Sequence, residues 1–455
     1  MRLETLFKPK TMAIIGVSLT NDRHPANVVF NKNHLRHPVQ VYPVNPRGGV
    51  LQGCTVYPRV SDIPEKIDLA VIATRAEHCP DIFSDCIRAG VGGAAVVSGG
   101  FAETGQRELQ KRIVALAGEA NFPFIGPNCL GIYAPDHVDT FFLPSERIVY
   151  PSRGNVAVVS QSGGILVDLM VKFAEEGIGL SLALSIGNKA MIRERELLRH
   201  LINDPGTGVI AFYIEGFDRN EGRDFVIEAG KSPKPVIVIK TGKSDAGSRA
   251  VSSHTASLGG DYRVFSEVLH QYGVVEAKNE LELVSFCESL SHYKKSIEGH
   301  IGIITSSGGH GALAVDACAG YGIDTPQLSP ELRETIREKL SPSIRQIASL
   351  GNPVDLTGSA VDDDFMQAAA ALSRSPEIDC LLVLLLPYQP GITLDLGARL
   401  GQLYQREGKP LIAYVPHIDK YRVLVEGFEI HQIPASPSIE GAVLMAEAMR
   451  RCKPC

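Results

Sequence analysis

The chain has 455 residues, 44% apolar and 21% charged, the composition of a soluble globular protein too long for one ordinary core. A formal net charge of -6 argues against a polybasic surface for nucleic acid or anionic membrane, and 6% aromatics without tryptophan argues against a base-stacking platform. The 44 glycines suit sheets with many tight strand-to-helix turns.

The opening MRLETLFKPKTMAIIG places Glu4 before any long apolar stretch and lacks a small-residue cleavage pattern, so no signal peptide is expected and the chain reads as cytoplasmic. Up to about residue 140, the apolar runs MAIIG, VQVYPVN, DLAVIAT, GAAVVSGG and FPFIGPN alternate with polar, helix-like spacers. One spacer, GQRELQKRIVALAGEA, has Leu109, Ile113, Leu116 and Ala117 at amphipathic helix spacing, and Pro25 is placed to open another helix. Runs apolar throughout and separated by helices predict a parallel sheet covered on both faces. A linker-like passage, LPSERIVYPSRG, closes this block near residue 150. The second block repeats the rhythm with NVAVVSQSGG, LSLALSIGN, TGVIAFYIEG, KPVIVIKTG and YGVVEA. After the polar bridge SLSHYKKSIEGH, a third block carries IGIITSSGG, IDCLLVLLLPY and KPLIAYV. The run IDCLLVLLLPYQP is too short to span a bilayer and is stopped by proline; it predicts a buried strand.

GNVAVVSQSGG (154–164) and GHIGIITSSGG (299–309) align without a gap, which points to internal duplication of one α/β unit. Each ends a strand with small residues before a helix, where free N–H groups can cradle an anion; glycine there equally allows close strand–helix packing. The first strand's AIIGVS is only a G-x-S. The second ends VYPVNPRGG, with Asn45 and Pro46 where a dinucleotide fold would place its ribose-binding acid. This disfavours an NAD-dependent oxidoreductase and leaves another nucleotide-like ligand across the carboxyl ends of the strands. GPNCLG (126–131) is a further small, polar crest. Its Cys129 is a weak nucleophile candidate, with no histidine in the adjoining sequence.

The best single candidate is His254, in GKSDAGSRAVSSHTASLGGDY (242–262). Ser252, Ser253, Thr255 and Ser257 surround it, and Gly259 and Gly260 follow. Read as a loop over 247–260, this stretch leaves the imidazole reachable and offers hydroxyl and N–H donors to oxyanions. A nucleophilic histidine needs one nitrogen's proton held so that the other can attack. Glu215, at the end of VIAFYIEG, is the carboxylate best placed for that. No His/Cys cluster has metal-site spacing. Nine cysteines, mostly in apolar segments, fit reduced core residues. Cys452 and Cys455 have redox-like spacing, but at a terminus.

Taken together and in order, SQSGG, YIEG, GKSDAGSRAVSSHTASLGG and GNPVDLTG resemble the alpha subunit of ADP-forming acetate–CoA ligase, a branch of the nucleoside-diphosphate-forming acyl-CoA synthetases related to succinyl-CoA synthetase. The resemblance covers nearly the whole chain. It implies an α/β protein with a Rossmann-like CoA-binding domain (1–148) and two flavodoxin-like, doubly wound parallel-sheet domains (149–293 and 294–455). It implies acyl-CoA, ADP and phosphate exchanging with carboxylic acid, CoA and ATP through an acyl phosphate and a phosphohistidine. By the same resemblance His254 is the phosphorylated nucleophile and Glu215 its orienting carboxylate, and Ser162, Gly163 and Gly164 bind phosphate. Gly16, Ser18, Asn45, Pro46 and Ala73 belong to the CoA cradle, with Asn128 and Cys129 in the loop near the thioester. Nothing after residue 300 resembles an ATP-grasp domain, so ADP/ATP with Mg2+ is expected on a separate ATP-grasp beta subunit, in a heterotetramer. The chain departs from the family's usual pattern at Met191 and at His310. These departures motivate the alternative of a non-catalytic CoA- or acyl-CoA-binding regulatory protein.

Overall fold

The first apolar run, Thr11–Ile15, divides its side chains between two cores: Met12 and Ile14 join one cluster, Ala13 and Ile15 another. Such a period-2 partition, buried on both sides, belongs to a strand in the middle of a covered sheet. A computed structural model of the chain describes residues 3–218, 220–255, 261–416 and 419–452, the side chains of 252–255 and 419 lying outside the description. The chain forms two compact units, Met1–Lys278 and Asn279–Cys455.

The first unit contains two major sheets. In one, the spatial order is Gln40–Val44, Thr11–Ile15, Leu69–Ile72, Ala94–Val96, Phe124–Ile125, all parallel. The second strand in sequence lies on one side of the first and the third on the other, which creates a crevice at the carboxyl ends between Thr11–Ile15 and Leu69–Ile72. Pro25 takes the first position of the helix Pro25–Arg36, where its missing N–H costs nothing. The predicted amphipathic helix is Arg107–Glu119, with Ile113 and Ala117 buried.

The other sheet runs Val275–Ala277, Val236–Lys240, Val209–Ile214, Arg153–Ser160, Leu180–Ser185, Gly131–Ala134, Val138–Asp139; the last two strands are antiparallel additions. One apolar cluster joins facing residues of both sheets, including Ile14 and Val71 from the first and Val159 and Phe212 from the second.

In the second unit the sheet order is Ser349–Leu350, Val354–Asp355, Ile301–Thr305, Cys380–Leu384, Leu411–Tyr414, Ala435–Ser436, parallel except for the first pair. The run read as a buried strand is therefore one, Cys380–Leu384, and among the described residues no helix is long and apolar enough to cross a membrane. Asn352 of the GNPVDLTG motif stitches this sheet: its Oδ1 accepts from the Ile303 amide at 2.9 Å and its Nδ2 donates to the Ile301 carbonyl at 2.8 Å.

The chain passes from the first sheet to the second between Ile125 and Gly131, and the two compact units divide at Lys278/Asn279. Strands Gly131–Ala134 and Val138–Asp139 find their partner edge in the second sheet. The helix Glu280–His292 packs in the second unit, where Ser289 Oγ donates to the Met445 carbonyl at 2.8 Å.

Candidate active site

A cleft of about 450 Å³ opens at the crevice of the first sheet, lined among others by Gly16, Asn45, Pro46, Ala73, His24 and Arg59. Its size is that of a small-molecule site. Gly16 (φ +101°) is required by the chain itself, since a Cβ there would lie 2.4 Å from the Ala73 carbonyl oxygen. Asn45 Nδ2 donates to the Val17 carbonyl at 2.7 Å and so holds two strand ends together beside the cleft. Ser18 closes the turn before the helix: its amide donates to Asn27 Oδ1 at 2.7 Å and its hydroxyl accepts from the Asn21 amide at 3.0 Å.

Hydrogen bonds link this cleft to the loop 126–130. Thr74, which lines the cleft, donates its amide to Ser98 Oγ at 3.0 Å, and the Ser98 carbonyl accepts from the Asn128 amide at 2.8 Å. The loop in turn lies on the carboxyl edge of the second sheet. Leu130 N donates to Ser185 Oγ at 3.1 Å and Asn188 N donates to the Pro127 carbonyl at 2.9 Å.

At that edge the strand Arg153–Ser160 turns sharply into the helix Gly163–Glu175. Ser160 Oγ forms the turn, donating to the Ser162 carbonyl at 2.6 Å and accepting from the Ser162 amide at 3.1 Å. Ser162 is the N-cap, its hydroxyl accepting from Ile165 N at 3.4 Å. Among the described residues the amides of Gly163 and Gly164 meet no acceptor, and a Cβ on Gly164 would touch nothing within 4 Å. Two such donors at the positive end of a helix, with open space beside Gly164 and Leu130 packed beside Gly163, suit an oxyanion.

The neighbouring strand Val209–Ile214 delivers Glu215, buried at 6% exposure. Its backbone is clamped. Gln161 Oε1 accepts from the amides of Glu215 and Gly216, and Gln161 Nε2 donates to the Gly216 carbonyl at 3.0 Å and to Glu194 Oε1 at 2.5 Å. Lys189 Nζ adds bonds to the Gly216 carbonyl at 2.6 Å and Glu194 Oε1 at 2.7 Å. Burial pushes the Glu194 carboxyl up against the opposing pull of the Lys189 ammonium. The next strand, Val236–Lys240, ends in Lys240, whose Nζ donates to the Thr241 carbonyl at 2.9 Å; burial, and then Lys189, hold that ammonium below its ordinary range.

From there the chain enters the helix Asp245–Thr255. This corrects the loop reading over 247–255, since the backbone of His254 is helical; residues 256–260 lie outside the described residues. Ser244 starts the helix, its Oγ accepting from the Gly247 amide at 3.1 Å, and Ser248 Oγ ties it to the strand end through the Gly242 carbonyl at 2.9 Å. The side chains of Ser252, Ser253, His254 and Thr255, and residues Ala256, Ser257, Gly259 and Gly260 entirely, lie outside the described residues, as does Cys455.

Residues 10–135 match a CoA binding domain, 153–290 a succinyl-CoA ligase like flavodoxin domain, and 301–393 a ligase-CoA domain. The alpha subunit of acetate–CoA ligase [ADP-forming] II of Pyrococcus furiosus is 33% identical over 98% of this chain and 98% of its own. The chain belongs to the family of ADP-forming acetate–CoA ligases. A longer member from Archaeoglobus fulgidus, acetate–CoA ligase [ADP-forming] I, is 36% identical over 85% of the chain; the chain spans 55% of that relative and 50% of one from Methanocaldococcus jannaschii. Among solved structures, the dinucleotide forming acetyl-coenzyme A synthetase 1 of Ca. Korarchaeum cryptofilum, in complex with phosphate and ADP, superposes with a TM-score of 0.88 at 31% identity, covering 99% of this chain and 96% of that one. The ligase family accounts for the CoA-binding and flavodoxin-like α/β architecture.

Of the residues the sequence singles out, Gly16, Asn45, Pro46 and Ala73 meet at one cleft, and Ser162, Gly163, Gly164 and Glu215 at one sheet edge. Asn128 lies on the path between them. Cys129 does not present its thiol: it is 3% exposed, its Sγ donates to the Val96 carbonyl at 3.3 Å, and burial pushes it up to about 12. A neutral, enclosed thiol is no nucleophile near pH 7. Iodoacetamide at pH 8 is accordingly expected to label the half-buried Cys54 and Cys452 and leave Cys129 unmodified in the folded protein. Peptide mass spectrometry showing early Cys129 alkylation would contradict this placement. Sequence reasoning missed Gln161, Lys189, Glu194 and Ser98. Met191, a departure from the family pattern, is half-buried against the first-sheet core, and His310 Nδ1 pairs with Ser307 Oγ at 3.0 Å.

Proposed function

We propose that the chain is the catalytic alpha subunit of an ADP-forming acyl-CoA synthetase, acting in the cytoplasm with an ATP-grasp beta subunit in a heterotetramer. The observation that carries this reading is the convergence at one sheet edge of the oxyanion-ready helix start at Ser162–Gly164, the fixed Glu215 turn and the helix bearing His254, joined by hydrogen bonds to the cleft at Gly16 and Asn45. That open cleft can take part of CoA, and His24 and Arg59 in its lining supply donors for phosphates. Phosphate oxygen attacks the thioester carbonyl, the C–S bond breaks and the CoA thiolate leaves, giving an acyl phosphate. A His254 nitrogen then attacks phosphorus, the P–O bond to the acyl group breaks and the carboxylate departs. ADP bound with Mg2+ on the beta subunit accepts the phosphoryl group from the histidine. The amides of Gly163 and Gly164 receive the oxyanion charge, and Glu215 holds the ring's other N–H. Names of relatives as alpha subunits, and longer relatives of which this chain matches about half, support a separate partner.

The test is ATP formation from acetyl-, propionyl-, succinyl- and aryl-acyl-CoA with ADP and phosphate, by the chain, by a candidate ATP-grasp partner and by both. At least one acyl-CoA is expected to support synthesis only when both proteins are present. CoA binding to the chain without turnover or phosphohistidine in any such complex would instead make it a regulatory binder.

A further inference from the structure

The duplicated strand–turn–helix unit differs where it meets Glu215. Both copies build the same turn: Ser160 Oγ brackets Ser162 as Thr305 Oγ1 brackets Ser307, donating to its carbonyl at 3.1 Å and accepting from its amide at 3.1 Å. Between bracket and cap stands Gln161 in the first copy and Ser306 in the second. Ser306 is buried at 2% exposure, and its hydroxyl meets no partner among the described residues. Gln161, buried at 8%, has both ends of its amide engaged, and three of its four bonds go to the backbone of Glu215 and Gly216. The turn itself needs no glutamine, since the second copy makes it with serine.

We propose that Gln161, backed by Lys189 and Glu194, is a positioning residue for phosphoryl transfer: it fixes the backbone of the Glu215–Gly216 turn so that the Glu215 carboxylate is held for the nucleophile. This rests on the reading of Glu215 as the orienting carboxylate. The physical basis is directional. A carboxylate at a strand end has two backbone dihedrals and three side-chain torsions to settle, and the Gln161 amide removes the backbone freedom by binding two consecutive N–H groups and one carbonyl. Lys189 binds that carbonyl as well, while Glu194 orients both donors, so the clamp is closed on every side. A displacement of the reacting groups by about 1 Å costs about 100-fold in rate.

The experiment measures single-turnover transfer of labelled phosphate from acyl-CoA and phosphate onto the chain, in its complex with the beta subunit. The variants are Gln161→Met, Gln161→Ser, Glu215→Gln and the double Gln161→Met/Glu215→Gln. Both single Gln161 variants are expected to slow phosphorylation by about 10- to 100-fold, with apparent KM for acyl-CoA and phosphate changed by less than about 2-fold. The double variant is expected to be no slower than Glu215→Gln alone by more than about 2-fold, because the two residues act on one step. If Gln161→Met fails to fold by circular dichroism, Gln161→Ser carries the test, since serine occupies that position in the second copy. Wild-type rates in the Gln161 variants beside a slow Glu215→Gln would overturn the clamp and leave the role of Glu215 standing. Multiplying losses in the double variant would likewise overturn it. A wild-type rate in Glu215→Gln would overturn both.

Discussion

Replacing His254 by alanine is expected to lower acyl-CoA-dependent ATP synthesis by the assembled complex by about 10⁴-fold or more, leaving CoA binding unchanged. The size of the effect follows from the chemistry. On the proposed function the histidine is a covalent relay between an acyl phosphate and ADP, so its loss would remove a step and not merely a favourable contact. His254 lies on the helix Asp245–Thr255, which follows the strand Val236–Lys240, and the helix Gly163–Glu175 begins at the carboxyl edge of the same sheet. The amide end of the helix Gly163–Glu175 suits phosphoryl oxygens on the proposed function. His254→Gln keeps size and a hydrogen-bond donor but lacks the nucleophilic nitrogen, and is expected to be as inactive as alanine. Retention of more than about 1% of activity in both variants would remove the histidine from the pathway.

The largest effect on stability is expected at Gly187. Its φ of +52° is a left-handed conformation, and a Cβ there would lie 2.2 Å from the Asn128 carbonyl oxygen and 2.4 Å from that of Pro127. Neither obstacle is a mobile side-chain tip; both are backbone of the loop that links the cleft to the carboxyl edge of the second sheet. Gly187→Ala therefore has to separate that loop from the sheet or fail to fold, at a cost of about 3 kcal/mol or more. Its thermal midpoint is expected to fall by roughly 10 °C. Gly164→Ala is the contrast, because a Cβ there meets nothing within 4 Å, and its midpoint is expected to stay within about 2 °C of wild type. Equal midpoints for Gly187→Ala and wild type would show that the loop does not pack as described.

The parts of this architecture that local pattern reveals are those in which neighbouring residues share a fate. Met12–Ile15 and Val209–Ile214 are apolar throughout because parallel strands are buried on both faces, and that is visible in four to six consecutive letters. Glu215 stands out because a carboxylate ends such a run, and Ser162 because it precedes two glycines at a helix start. Pairings across long sequence separations leave no such mark. Gly131–Ala134 looks like the close of the first block, yet Tyr133 pairs with Ala183 in the second sheet. Gln161, Lys189 and Glu194 are each ordinary polar residues in their own segments and become a clamp only when the fold brings Gly216 between them. The helix through His254 did carry a signal, Ser244 followed by Asp245, that the density of serines and glycines after it obscured.

On the proposed function His254 carries the phosphoryl group. The most direct measurement incubates the chain, its beta partner, acyl-CoA and labelled phosphate without ADP, then maps the label by peptide mass spectrometry under alkaline conditions. The expected result is an acid-labile, base-stable phosphate on the peptide containing His254, discharged when ADP is added. Label on another residue, or label that persists in His254→Ala, would contradict it.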